Sequence, residues 1–248
     1  MIGIIGGSGL TQLSNLEITR REVVRTPYGE PSGALTFGSL NGHEVVFIAR
    51  HGYGHTIPPH TVNYRANIWA IHAQGVSGLV SVAAVGGIRP DFVPGALAIP
   101  DQIIDYTYGR MHSFFDSTEQ PVTHVDFTHP YCRELRDALL TAAADCAIPV
   151  IDSGVYAATQ GPRLETAAEI NRMERDGADM VGMTGMPEAA LAREMGLCYA
   201  SIAVVANWAA GRADSAEAVD LDIVRGVLDE AMVKVRRLLA KLVDSHAD

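Results

Sequence analysis

The sequence predicts a single α/β domain spanning residues 1–248, built on a mixed, mostly parallel central sheet flanked by helices. Three observations lead there. Apolar strand-like runs alternate with helical segments after position 60, the pattern of parallel sheets covered on both faces. Hydrophobic residues make up 48% of the chain, which is globular composition and not that of a disordered protein. Several apolar runs end abruptly in glycine, a hydroxyl or an amide, as strands do where they open onto a ligand.

The elements follow in order. Ile2–Ile5 reads as a buried strand running into Gly6-Gly7-Ser8-Gly9. Ala34–Phe37 and Glu44–Ala49 read as paired strands with Asn41-Gly42 at the turn. Asn63–Gln74 is helical, and Gly78–Val85 is a core strand ending in Gly86-Gly87. Leu97–Ile104 is a strand interrupted by Pro100. Arg133–Ala144 is an amphipathic helix, and Val150–Ala157 a strand. Thr166–Asp176 is a helix closed by Gly177. Asp179–Met183 is a strand, Pro187–Met195 a helix, and Leu197–Val205 a strand that runs up to Asn207. Ala218–Leu242 is a long terminal helix. Ser8, His51, Gly86, Thr184 and Asn207 all fall at carboxyl ends of strands.

The net charge of −10, with no basic run, argues against nucleic acid as a partner. No apolar run approaches the roughly 20 residues of a membrane helix, so no membrane partner is expected. Cys132, Cys146 and Cys198 are odd in number and widely spaced. They are expected to be buried thiols in a reducing cytoplasm, not a disulfide framework. Met1-Ile2-Gly3-Ile4 has no basic leader, and a cytoplasmic location is expected.

Four segments carry chemistry. Gly6-Gly7-Ser8-Gly9 lacks the third glycine of a dinucleotide fingerprint, because position 12 is Gln12. It offers a hydroxyl and backbone N–H groups to an anion, or it is an ordinary tight turn. Arg50 and His51 follow a strand. A guanidinium fork suits an oxyanion, and the histidine is expected to add a donor. Glycine and proline around His51, His55 and His60 exclude the helix that would gather them on a metal. Thr184, before Pro187, is placed to meet an anion or to cap the helix that follows. Asn207 ends an apolar strand with an amide, which both donates and accepts.

Several longer stretches are collinear with a known family. They are Gly3–Leu10, Ala49–Gly52 with His55–Ile57, Val62–Ala70, Gln160–Arg163 and Pro187–Ala203. Together they resemble the 5′-deoxy-5′-methylthioadenosine phosphorylase branch of the trimeric purine nucleoside phosphorylases. The resemblance implies a single nucleoside phosphorylase domain, a homotrimer, and nucleoside and inorganic phosphate as small-molecule partners. Phosphate is a co-substrate, and no metal or organic cofactor is expected. It places Ser8, Arg50, His51, Thr184 and the Ala84 backbone around phosphate. Met183 lies under the ribose, and His55 beside the 5′-substituent. His124 is the residue lent by a neighbouring subunit. Leu221 and Val224 line the methylthio group.

The departure lies at the base. Adenosine-acting members read Thr-Asp-Tyr-Asp where this chain has Ala206, Asn207, Trp208 and Ala209. Both carboxylates of that segment are gone, and the 6-oxopurine enzymes resemble this chain in using asparagine. Asn207 is therefore expected to bind the base and to stabilise it as it leaves. The implied reaction is phosphorolysis of S-methyl-5′-thioinosine to hypoxanthine and 5-methylthioribose 1-phosphate. The alternatives are phosphorolysis of methylthioadenosine, or a general 6-oxopurine nucleoside activity.

Overall fold

Strand β1 (Ile2–Gly6) is buried along its whole length and anchors the sheet. The computed structural model describes residues 1–116, 118 and 121–245. The other strands are β2 (Glu17–Glu22), β3 (Leu35–Leu40), β4 (His43–Ala49), β5 (Gly78–Gly87), β6 (Leu97–Ala98), β7 (Gln102–Asp105), β8 (Val150–Ile151), β9 (Val155–Ala158), β10 (Met180–Gly182) and β11 (Tyr199–Trp208). The helices are α1 (Tyr64–His72), α2 (Arg133–Asp145), α3 (Ala167–Arg175), α4 (Gly185–Glu194) and α5 (Leu221–Ser245). The sheet runs β2-β3-β4-β1-β5-β10-β9-β7, with β11 also on β5, β6 on β11 and β8 on β6.

Most pairings are parallel, as expected. The exceptions are the β2-β3-β4 meander, β10 on β5 and β6 on β11. Asn41 and Gly42 take φ of 50° and 88° between β3 and β4. Two positive φ values make the tight hairpin that an Asn-Gly pair favours. Apolar faces of α2 and α5 cover one side of the sheet, through Leu135, Leu139, Met232, Val235 and Leu239. Helices α1 and α4 cover the other through Ile68, Ile71, Ala189 and Leu191. Local signals set the helix starts. Asn63 accepts from the Ala66 N–H, and Thr166 forms a capping box with Glu169.

Two expected strands are each split. The run 97–104 breaks at Pro100, whose missing N–H cannot continue a ladder. The run 150–157 breaks at Asp152–Gly154. Their halves sort together: β6 pairs with β8, and β7 with β9. Strand β2 carries Glu-Ile-Thr-Arg-Arg-Glu and is exposed throughout. Charge on an edge strand blocks pairing with other chains, and it also hides the strand from an apolar-pattern reading.

The cysteine expectation is corrected. Cys132, just before α2, is disulfide-bonded to Cys198, just before β11, and Cys146 alone is free. The argument for a reducing cytoplasm from the cysteines falls with it. The bond ties positions 66 residues apart. On chain-entropy grounds, reduction is expected to lower stability by about 4 kcal/mol. Thermal unfolding with and without dithiothreitol measures this, and an unchanged midpoint would contradict it. Among the described residues, no helix is long and apolar enough to cross a membrane.

The central strand positions the site. One edge of β5 pairs with β1 only through Ser81, and with β10 only from Gly86. Between them the edge is open. Ala84 sits in that gap and is the one residue of β5 that is not fully buried.

Candidate active site

A cavity of about 480 Å³ opens at this gap. Ten of the eleven residues expected at the site line it: Ser8, Arg50, His51, His55, Ala84, Met183, Thr184, Asn207, Leu221 and Val224. His124 does not. It is exposed and outside the cavity of its own chain.

Arg50 is fully buried at the end of β4. Its Nε and Nη2 donate to the Glu188 carboxylate at 2.7 and 2.9 Å. Nη2 also donates to Ser81 Oγ at 2.7 Å, and Nη1 to the Val82 carbonyl at 3.0 Å. A guanidinium has five N–H donors, so one hydrogen on Nη1 is left for a ligand. The Val82 carbonyl faces the gap. Peptide groups two residues apart on a strand point the same way, so the Ala84 N–H faces it too. Gly7 lets its loop come close: a Cβ there would lie 2.4 Å from the Val82 oxygen and 2.8 Å from Arg50 Nη1. Burial disfavours the Arg50 charge, but Glu188 beside it outweighs this and raises its pKa.

Glu188 was not expected at the site. It is buried on α4 and accepts a further bond from the Tyr199 hydroxyl at 2.9 Å. Arg50 is therefore a structural ion pair first, with one donor to spare. The expectation of a guanidinium fork presented to phosphate is corrected accordingly.

Thr184 stands at the N-cap position of α4, yet its side chain makes no capping bond. Thr184 lines the cavity, and its hydroxyl is not spent on the cap. Its backbone N–H reaches the buried Tyr156 hydroxyl at 3.4 Å. Arg110, also buried, donates to the carbonyls of Met183, Met186, Thr159 and Gln160. It fixes the two loops that carry Met183 and Gln160, and no sequence signal marked it.

His51 is buried, and its Nδ1 lies 2.8 Å from the Ile57 carbonyl. Carbonyls only accept, so Nδ1 carries the hydrogen and the neutral ring leaves Nε2 as an acceptor. The expectation that His51 adds a donor is corrected. Burial first, then the Arg50 charge, pushes its pKa down to about 4. The unfolded chain, with an ordinary histidine near 6.5, binds the proton more readily. This stability is present above about pH 6.5 and is lost as pH falls toward 4, to the extent of about 3 kcal/mol. His51→Asn is expected to lose less stability than wild type between pH 7 and 4.5 in urea titrations. Parallel pH slopes would contradict this. Ser8 Oγ and His55 Nε2 are 2.9 Å apart, so the expected phosphate and 5′ residues touch.

At the other end, Asn207 follows a bulge at Ala206, where β11 slips relative to β5. Its Nδ2 donates to the Trp208 carbonyl at 2.6 Å. One amide hydrogen and Oδ1 remain for a ligand. Glu165 also lines this cavity and accepts from Thr159 Oγ1 at 2.6 Å. The cavity therefore does hold a carboxylate, supplied by a segment other than 206–209. Glu165 lies just past the Gln160–Arg163 stretch and gave no signal of its own. Val219, Leu221, Val224 and Leu228 form an apolar wall.

The sequence matches the phosphorylase superfamily profile over residues 1–244. The chain belongs to the phosphorylase superfamily. It is 50% identical over 242 residues to a Pseudomonas syringae pv. tomato protein described as "Probable S-methyl-5'-thioinosine phosphorylase", covering 98% of each. It is 51% identical over 215 residues to the 6-oxopurine nucleoside phosphorylase of Pyrococcus furiosus, covering 85% of this chain and 80% of that one. Methylthioadenosine phosphorylase from Schistosoma mansoni, solved with adenine, superposes with a TM-score of 0.94 at 34% identity, over 98% of this chain and 91% of that one. The expected fold is that of this family.

Proposed function

We propose that the chain is a phosphate-dependent phosphorylase of S-methyl-5′-thioinosine, releasing hypoxanthine and 5-methylthioribose 1-phosphate. The observation that carries this is the presence of both Asn207 and Glu165 in a cavity whose wall at the start of α5 is apolar. A 6-oxopurine has an acceptor at O6 and a donor at N1–H. Asn207 supplies an amide hydrogen to O6, and the Glu165 carboxylate accepts from N1–H. Adenine has a donor at position 6 and a bare N1, which would face the Glu165 carboxylate acceptor to acceptor. Val219, Leu221 and Val224 suit a methylthio group better than a hydroxyl.

Ser8, Arg50, His51, Ala84 and Thr184 hold phosphate on the face of the ribose opposite the base. C1′ becomes cationic as its bond to nitrogen breaks, as in glycoside cleavage. Positioning the nucleophile supplies most of the gain, and the phosphate charge stabilises the cationic sugar. Asn207 steadies charge on the departing base. Inorganic phosphate is the co-substrate, and the scheme calls on no metal or organic cofactor.

The Pyrococcus furiosus relative favours a second reading, a general 6-oxopurine nucleoside phosphorylase. That reading keeps the base contacts proposed above and differs only at the 5′ end. We further propose a closed homotrimer in which His124 reaches the cavity of the next copy. Tyr108, Met111, Phe115 and Val122 are exposed on the same stretch as His124, and such apolar exposure suits an interface. Light scattering should give three copies. Base release from methylthioinosine should require phosphate, and steady hydrolysis in phosphate-free buffer would overturn the scheme.

A further inference from the structure

The phosphate end of the cavity is lined by hydrogen-bond donors with one exception. The Ser8 and Thr184 hydroxyls, the Ala84 N–H and the spare Arg50 hydrogen can all donate. His51 cannot while it is neutral. Its Nδ1–H is held by the Ile57 carbonyl at 2.8 Å, and among the described residues Nε2 makes no hydrogen bond. The ring is kept neutral by burial, the Arg50 guanidinium and the neighbouring His55, against the pull of the Ile57 bond and Glu188. The His55 ring stands edge-on at 5.0 Å. His51 lines the same cavity as the donors, and its ring brings a bare nitrogen lone pair there in place of a hydrogen.

An oxyanion without a hydrogen would set its own lone pairs against that nitrogen. An oxyanion with a hydroxyl would satisfy it. Resting on the phosphorolytic reading above, we infer that His51 Nε2 accepts a hydrogen bond from the hydroxyl of the bound oxyanion, selects hydrogen phosphate or hydrogen arsenate over sulfate, and receives the phosphate proton in the reaction.

The step balances. Hydrogen phosphate carries two negative charges and one P–O–H. A lone pair on another of its oxygens forms the C1′–O bond, and the C1′–N9 electron pair leaves with the base. The sugar phosphate first formed is a monoanion that still bears the P–O–H. Esterification makes that proton far more acidic, with a pKa of about 6. It passes to Nε2, giving an imidazolium beside a dianionic ester, an arrangement that the opposite charge favours. The base anion takes a proton from water, and His51 returns one. Protons and charge are unchanged overall.

The test compares sulfate with phosphate at constant ionic strength and pH 7.5. In wild type, the sulfate inhibition constant against phosphate should exceed the phosphate KM by about tenfold or more. His51→Gln can turn an amide NH2 toward the anion, so the ratio should shrink toward one. Nitrogen-15 NMR of wild type should show His51 at pH 7.5 as the neutral Nδ1–H tautomer. Sulfate competing as well as phosphate in wild type would overturn the inference, as would an Nε2–H or imidazolium signal. Both wild-type readouts decide even if the variant does not fold. Failure of the phosphorolytic reading would look different: no nucleoside would release base on adding phosphate, whatever the His51 tautomer.

Discussion

Exchanging Glu165 for Gln and Asn207 for Asp in one chain should reverse the purine preference from 6-oxo to 6-amino. The carboxylate introduced by Asn207→Asp would accept from the adenine amino group and repel O6. The amide introduced by Glu165→Gln would offer an NH2 to the bare N1 of adenine. Each mismatch of a buried polar pair costs about 1–3 kcal/mol, or roughly ten- to a hundredfold in kcat/KM. The single changes Asn207→Asp and Glu165→Gln should each move the ratio part of the way. The readout is the ratio of kcat/KM for methylthioinosine to that for methylthioadenosine, because specificity is a difference between transition states. An unchanged ratio in Asn207→Asp would remove Asn207 from the base contact. An unchanged ratio in Glu165→Gln would do the same for Glu165.

Glu188→Ala should be among the most destabilising single changes in the molecule. It strands the fully buried Arg50 cation and leaves the Tyr199 hydroxyl without its acceptor. Breaking one half of a buried ion pair costs about 3–5 kcal/mol, a large share of the stability of a typical domain. Arg50→Ala should cost a similar amount by leaving the Glu188 carboxylate unpaired. For this reason Arg50→Ala is a poor probe of phosphate binding, and Thr184→Ala is the better one. Thr184 lines the cavity and its hydroxyl does not cap α4, so its loss should raise the phosphate KM while leaving stability nearly intact. Urea midpoints decide the first point. A loss below about 1 kcal/mol for Glu188→Ala would show that water reaches Arg50 and that the pair does not hold the site together.

The legible parts of the site share one property. Ser8, Arg50, His51, Thr184 and Asn207 each end an apolar run, and a polar side chain at that point stands out in one dimension. The support beneath them does not. Arg50 and Glu188 are 138 residues apart, and only the fold brings α4 against the end of β4. Glu165 reads as an ordinary helix-start residue until the loop carrying it is seen to wall the cavity. The disulfide gave no signal because three cysteines at wide spacing admit several pairings, or none. Among the strands, Pro100 marked the break in the run 97–104. It did not reveal that β6 goes to β11 while β7 goes to β9. His124 was named by resemblance alone, and a single chain leaves it exposed, away from the cavity.

The cavity suits a 6-oxopurine joined to a 5′-methylthio sugar. The most direct test of this is one set of phosphorolysis rates with purified protein, using methylthioinosine, methylthioadenosine and inosine at saturating phosphate. The kcat/KM should be highest for methylthioinosine. Methylthioadenosine should be at least about tenfold lower through the mismatched base contacts. Inosine should also be lower, through a 5′-hydroxyl buried against Val219, Leu221 and Val224. Methylthioadenosine cleaved as well as or better than methylthioinosine would contradict it.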